Sequence, residues 1–249
     1  MARYLDILAG TSTLTLNYPT RVEFRIRKEY FEDYVLGGDR FGAVRGLTRF
    51  RPEVTVEYEP IGFRLANYAI QQTMPLFNVR VNIDGNSISV GGAQIDSWEI
   101  TCEEGRGAVA RVTFIGTIQA SDAPPGPSTI DYSKTVPTTA NSKVKIGNAY
   151  QNVNRWSVRI NNNCQPLYYG STMPATVQPQ NCEITGRIRL LQFTSVSDND
   201  ITIETPVGTI TLSNVKFEEV PPSARGWEVP ETEISFRAGS ISFGGTISD

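Results

Sequence analysis

The fold is decided by two alternating runs, RWSVRI at residues 155–160 and EITGRIRL at residues 183–190, separated by NNN at 161–163 and a long loop. Apolar and polar residues alternate in both runs, and a period of two is typical of a strand with one buried face. Most hairpins need only about two to five connecting residues, so the much longer loop between these strands is a candidate for function. The residues on the predicted buried faces are Trp156, Val158, Ile160, Ile184, Ile188 and Leu190.

The first half of the chain carries the same pattern in the same order. The run RVEFRI at 21–26 alternates as the run at 155–160 does. Because six segments match in order and spacing, we interpret the chain as a tandem duplication. The other matched pairs are TLTL at 13–16 with KVKI at 143–146, YVLG at 34–37 with LYYG at 167–170, EVTVE at 53–57 with EITGR at 183–187, IDSWEI at 95–100 with VKFEEV at 215–220, and RVTFIG at 111–116 with EISFRA at 233–238.

The duplication predicts a mostly β protein with two domains, at residues 11–120 and 141–249. Residues 1–10 are interpreted as an N-terminal arm. Residues 121–140 are rich in proline, serine and threonine and lack an apolar period, which predicts an extended linker.

The first domain is predicted to differ from the second by one short helix. Ile61, Leu65, Tyr68 and Ala69 recur at helical spacing within residues 61–72, and the second domain offers only a short polar segment there. The strand that precedes this helix has glutamates on its outward face. If that strand pairs with residues 21–27, arginines and glutamates lie opposite each other across the pair, which stabilises it modestly.

The composition argues against several classes of function. The formal net charge is −3, so there is no basic excess of the kind that binds phosphates. The chain has no histidine, and its three cysteines form no C-x-x-C pair, which leaves poor material for a zinc site and favours reduced, structural cysteines. The N-terminal residues do not resemble a signal peptide, and no stretch approaches the roughly 20 apolar residues of a membrane span.

No catalytic arrangement is recognisable. Without histidine, Ser-His-Asp and Cys-His sites are excluded. The glycine pairs lack the Lys-Ser/Thr of a phosphate-binding loop, and the acidic residues at 198–200 lack the downstream glutamate of a calcium loop. The sequence therefore predicts no enzyme, no metal and no cofactor.

The strand order and loop placement resemble those of the tail tube proteins of tailed bacteriophages. The similarity covers residues 141–243 best and residues 11–119 more loosely. It implies β-sandwich or β-barrel domains, six of which form a ring. Such rings stack into a hollow tube through which DNA is ejected, in a virion tail assembled in the host cytoplasm.

The resemblance also implies contacts between rings by the long loop after the first strand pair of each domain. In this chain the loops are residues 28–52 and 161–181. The implied contact residues are Tyr30, Phe31, Tyr34, Phe41 and Phe50 in the first loop and Leu167, Tyr168 and Tyr169 in the second.

Two further expectations concern the ring and its channel. If each chain supplies two of six domains, the ring is a trimer with approximate sixfold symmetry. The expected partners are copies of this chain, other tail proteins at the tube ends, and DNA or a tape-measure protein that passes through without sequence-specific binding; no membrane is involved. Candidate channel-facing residues are Glu53, Glu57, Glu183 and Arg187.

Two alternatives remain open from the sequence. A baseplate hub or tube-initiating protein would share the fold. A tandem β-sandwich module that binds a receptor or a carbohydrate belongs to another class, and such a module would stay a small oligomer where a tube protein forms stacked rings.

Overall fold

The structure is a computed structural model, which describes residues 4–9, 12–14, 16, 19–29, 49–83, 86–119, 135–191, 198–218 and 232–245. As predicted, it is mostly β with one short helix. The elements are β1 (Tyr4–Ala9), β2 (Ser12–Leu14), β3 (Pro19–Glu29), β4 (Arg49–Tyr58), α1 (Arg64–Ala69), β5 (Phe77–Ile83), β6 (Asn86–Glu103), β7 (Val109–Gln119), β8 (Lys143–Ile146), β9 (Ala149–Gln151), β10 (Val153–Asn161), β11 (Gln165–Leu167), β12 (Thr176–Gln178), β13 (Glu183–Leu190), β14 (Ile201–Thr205), β15 (Gly208–Ser213), β16 (Lys216–Phe217), β17 (Thr232–Ala238) and β18 (Ser240–Gly245).

Eight strands form one continuous antiparallel sheet in the order β3-β4-β7-β6-β10-β13-β17-β16. We call this the long sheet. Its first four strands come from the first half of the chain, residues 4–119, and its last four from the second half, residues 135–245. The halves are joined where β6 pairs with β10.

The two halves arrange their strands in the same order. Val22, Val56 and Val112 lie side by side across β3, β4 and β7. In the second half the corresponding row is Trp156, Ile188 and Ile234, across β10, β13 and β17. In this register Val54 corresponds to Gly186, since Val54 lies opposite Phe114 and Gly186 opposite Phe236. The sequence-based match of 53–57 with 183–187 is therefore wrong by two residues.

A second sheet in the second half has the order β18-β15-β14-β8-β9. Its counterpart in the first half is the series β5-β1-β2, which pairs with the N-terminal part of β6. β6 is long enough, at 18 residues, to run through both layers. Its pairing with β7 shifts register around Gly92, where φ is +57°. In the second half the residue between β15 and β16, Asn214, has a similar φ of +54°. Both residue types tolerate this left-handed backbone.

The apolar faces of both halves enclose one core. α1 buries Leu65, Ala66 and Ala69 against it. The Trp98 indole N–H donates a hydrogen bond of 3.1 Å to the Tyr58 hydroxyl. Phe243, from the second half, packs with its ring centroid 5.6 Å from that of Trp98 in the first half. Aromatic burial thus stabilises the junction of the two halves.

The interpretation of residues 1–10 as an arm is wrong for Tyr4–Ala9. These residues form β1, which pairs with β5, and Ile7 is fully buried. β8 pairs with β14 as β1 pairs with β5, so the counterpart of β8 is β1 and not residues 13–16. The aspartate at position 6 interrupts an otherwise apolar run, so the sequence pattern did not predict this strand.

Part of the predicted linker is packed. The backbone N–H of Ala108 donates to the Pro137 carbonyl at 2.7 Å, and Thr138 forms a β-bridge with Gly107. The remainder of the linker, residues 121–134, lies outside the described residues.

Candidate assembly surfaces: a charged sheet face and two open strand edges

One face of the long sheet carries alternating arginines and glutamates. The strands turn their apolar residues to the core, so the intervening positions point the other way. We call this side the charged face. Its charged side chains include Arg21, Glu23, Arg25 and Arg27 on β3, Arg49, Arg51, Glu53 and Glu57 on β4, Arg111 on β7, Asp96, Glu99 and Glu103 on β6, Arg155 and Arg159 on β10, Glu183, Arg187 and Arg189 on β13, Glu233 and Arg237 on β17, and Lys216 on β16.

Glu53 is the most enclosed acid on the charged face, with only 5% of the residue exposed. Arg27 Nε lies 2.8 Å from one of its carboxylate oxygens. Arg51 Nε lies 3.0 Å from the other oxygen, as an ion pair without hydrogen-bond alignment. Arg51 also lies 3.7 Å from Asp96. Because a charge removed from water must be paired, the two arginines are what allow Glu53 to occupy this position.

The other three predicted channel residues also lie on the charged face in ion pairs. Arg111 Nε donates to Glu57 at 3.0 Å. Glu183 lies 3.2 Å from Arg237, and Arg187 lies 3.6 Å from Glu233. All four residues lie on the charged face, and their position in a channel stays a prediction. They are not neighbours, however, because β4 and β13 are four strand spacings apart, or roughly 19 Å.

The long sheet ends in two strand edges that have no neighbour among the described residues. β3 pairs only with β4, and β16 pairs only with β17. Unpaired edges expose backbone N–H and C=O groups that can pair with another chain. The reasoning from sequence identified these strands but could not show that they are the two ends of one sheet.

Burial along the β3 edge is incomplete. Val22 and Phe24 are only half-buried, and Ile26 is 42% exposed. The corresponding row on β10, Trp156, Val158 and Ile160, is fully buried because β6 lies beside it. The same kind of apolar row is therefore covered by another strand at β10, whereas no described strand covers it at β3.

The second long loop packs against the first half of its own chain. The Asn162 side-chain amide donates to the backbone carbonyls of Ala69, at 3.0 Å, and Ile95, at 2.9 Å. Farther along, Cys164 and Val177 form a small apolar cluster with Ile115 on the side of the charged face. Sequence reasoning missed Asn162, since three consecutive asparagines predict only a turn.

The cysteines are free thiols. Burial raises the pKa of Cys102 to about 12. Burial also raises the pKa of Cys164 to about 12, with a smaller contribution from the nearby Asp96 carboxylate. Both thiols therefore stay protonated near neutral pH, where a thiolate would be needed for reactivity or metal binding.

Comparison with known proteins identifies the family to which this two-layered β protein belongs. A family model described as phage tail tube protein matches residues 5–225. The chain belongs to the phage tail tube protein family. A search among curated proteins finds no match to the chain. As a member of this family, the tail tube protein is a structural component of the virion tail. It assembles with copies of itself and with other tail proteins into a multi-subunit tube. The family is not one of enzymes.

Four of the expected contact residues of this tail tube protein, Tyr30, Phe31, Tyr34 and Phe41, lie outside the described residues. The other four, Phe50, Leu167, Tyr168 and Tyr169, lie within the described residues.

The remaining contact residues fall into two groups. Phe50 is half-buried in β4, where its carbonyl accepts a hydrogen bond of 3.2 Å from the Tyr168 hydroxyl. Leu167 is half-buried in β11, which pairs with β12. Tyr169, by contrast, is 72% exposed. Of these four, only Tyr169 is presented mainly to the outside of the chain.

The described part of this tail tube protein contains no group of three or more cysteines and acids placed to hold a metal ion. None of its described helices is long and apolar enough to cross a membrane.

Proposed function

We propose that this tail tube protein closes a trimeric ring by pairing β16 of one copy with β3 of the next. The observation that carries the proposal is the internal β6–β10 pair, which joins the last strand of one four-stranded unit to the first strand of the next. The edges that have no neighbour among the residues described, β16 and β3, are again a last strand and a first strand. The chain thus contains one copy of the junction that would link it to its neighbours.

The apolar row on β3 supports the same pairing. A neighbour beside β3 would cover Val22, Phe24 and Ile26 as β6 covers the row on β10. Burial of apolar surface stabilises association, at about 25 cal/mol per Å² before the costs of association are subtracted. The contact is head-to-tail, and a head-to-tail contact forms a ring when its rotation closes.

The proposed ring contains three chains. We interpret the two halves as tandem domains, with the first starting at β1 and the second at about residue 141. Two such units in each of three chains give the six positions of the ring. Symmetry is then approximately sixfold, since each junction within a chain alternates with a junction between chains.

In this ring the charged face lines the channel, through which DNA passes without sequence-specific contacts. The chain acts as a structural protein without catalytic activity or cofactor, and its rings stack in the cytoplasm of the host. The family match favours the tube protein over a receptor-binding or carbohydrate-binding module. Contacts between rings are assigned to the loops at residues 28–52 and 161–181, as the sequence analysis expects.

Native mass spectrometry of the assembled protein tests the proposal. We expect a closed species of three chains, and electron micrographs should show it as stacked rings. A ring of six chains would contradict the tandem arrangement. A protein that remains a monomer under all assembly conditions would contradict ring formation itself.

A further inference from the structure

We infer that Glu53 and Glu57 keep the arginines of the charged face from binding DNA, by holding individual guanidinium groups in ion pairs. The inference rests on the proposed function, because it takes the charged face as the channel wall. It goes further by naming the residues that make a wall rich in arginine passable to a polyanion.

A channel wall rich in arginine is expected to bind the DNA that must pass through it. Arginine is the residue best suited to phosphate, because its planar guanidinium group offers paired donors. Arginines stand on the outward positions of β3, β4, β7, β10, β13 and β17. Every phosphate contact strengthens binding to DNA and would slow its passage.

The structure resolves the conflict by pairing charges within the sheet. Glu53 engages Arg27 and Arg51 with its two carboxylate oxygens. Glu57 accepts hydrogen bonds from Arg111. In each pair the arginine is more exposed than the glutamate, with 64% of the Arg27 side chain exposed against 6% for Glu53. The acids therefore lie beneath the guanidinium groups. Their removal would take the paired carboxylate away from Arg27 and Arg111, whereas Arg51 would keep Asp96 at 3.7 Å.

The Arg111–Glu57 pair lies nearer the solvent than the pairs of the enclosed Glu53, so its contribution to stability is small and its main effect is on the electrostatic potential of the surface. An overall excess of acid would be another way to repel DNA. Glu99 distinguishes the pairing of individual arginines from an overall excess of acid. It lies opposite Arg111 and Arg159 in the sheet but forms no ion pair with a described residue. Removal of Glu99 changes the charge of the face by the same amount and breaks no pair.

The experiment compares Glu53→Gln, Glu57→Gln, Glu99→Gln and, on the second sheet, Glu204→Gln. The affinity for a fluorescent DNA duplex is measured by anisotropy at several salt concentrations, on the unassembled chain and on assembled tubes. We expect Glu53→Gln and Glu57→Gln to raise the affinity about tenfold at low salt and to steepen its salt dependence. Glu204→Gln should match the original protein, and Glu99→Gln should raise the affinity less than the first two.

The inference is overturned if neither Glu53→Gln nor Glu57→Gln raises the affinity, or if Glu99→Gln raises it equally, which would make total charge the cause. Thermal unfolding checks the fold of each variant, and Glu57→Gln decides alone if the enclosed Glu53 proves necessary for folding. A failure to form rings would count against the proposed function. The comparison on the unassembled chain would still decide the role of the ion pairs.

Discussion

Ile160 on β10 and Ile26 on β3 occupy corresponding positions in the two halves, yet the first is fully buried and the second is 42% exposed. Both belong to alternating strands with apolar inward rows. The difference is the neighbour, because β10 has β6 beside it and β3 has no strand on that side among the described residues. The same sequence pattern therefore occurs in a strand at an internal junction and in a strand at the edge of the described sheet.

A second contrast concerns the route between the layers. β6 passes through both layers as one strand, whereas in the second half the chain is divided into β15 and β16. The first half also packs α1 against the core. The second-half loop uses that helix, since Asn162 donates to the carbonyl of Ala69. The two halves therefore differ in structure, and the second half contacts the helix that the first half contributes.

The largest expected effect comes from placing the same charge at the two corresponding isoleucines. Ile160→Asp buries an unpaired carboxylate and should cost about 4 kcal/mol or more, enough to prevent folding of a marginally stable chain. Ile26→Asp leaves the carboxylate at an open edge, so the chain should fold but fail to form rings. Circular dichroism and native mass spectrometry measure the two outcomes.

The comparison fails if Ile26→Asp unfolds the chain, which would show that the β3 row is already buried. It fails equally if that variant forms normal rings. Ile26→Val serves as the mild control at the same position and should do neither.

A smaller effect is expected at the start of the two long loops. By the strand register, Asn162 corresponds to Lys28, which is exposed. Asn162→Ala removes an amide donor from two buried carbonyls, although the Cys164 thiol still lies 3.4 Å from the carbonyl of Ile95. The change should lower the free energy of unfolding by about 2 kcal/mol. Lys28→Ala should change it by less than about 0.5 kcal/mol. Urea unfolding of both variants checks this, and equal effects would mean that Asn162 does not hold the loop.

The smallest effect on stability separates two adjacent tyrosines of the second loop. Tyr168 contacts its own chain, through Phe50 and with its ring 4.9 Å from the Arg49 guanidinium carbon, whereas Tyr169 points outward. Tyr168→Ala should lower the free energy of unfolding by about 1 kcal/mol. Tyr169→Ala should leave it unchanged and weaken the stacking of rings, as measured by tube length in micrographs. Normal tubes from Tyr169→Ala would remove this tyrosine from the inter-ring contact.

Several features were predictable because they depend on local pattern. The helix was expected within residues 61–72 and lies at Arg64–Ala69. The pairing of β3 with β4 places Arg21 opposite Glu57 and Arg25 opposite Glu53, which confirms the predicted rows of opposite charge. The matches between halves were less accurate, since Phe217 corresponds to Ile95 and not to Ser97. A shift of two residues keeps every side chain on its face, so alternation cannot detect it.

The sequence by itself determined which residues of the clearly alternating strands face the core, that the chain is mostly β, and that no histidine-based catalysis is available. These follow from residue chemistry and from a period of two, which are properties of short segments. The tertiary structure alone decided that β1 belongs to a sheet, that β6 pairs with β10, and that Glu53 lies between two arginines. It also decided that β3 and β16 are the strands that end the sheet in the described part of the chain. Each of these features depends on which distant strand lies alongside. The packing of the whole core decides that pairing, because an alternating strand contributes the same apolar face to the core whichever neighbour it has.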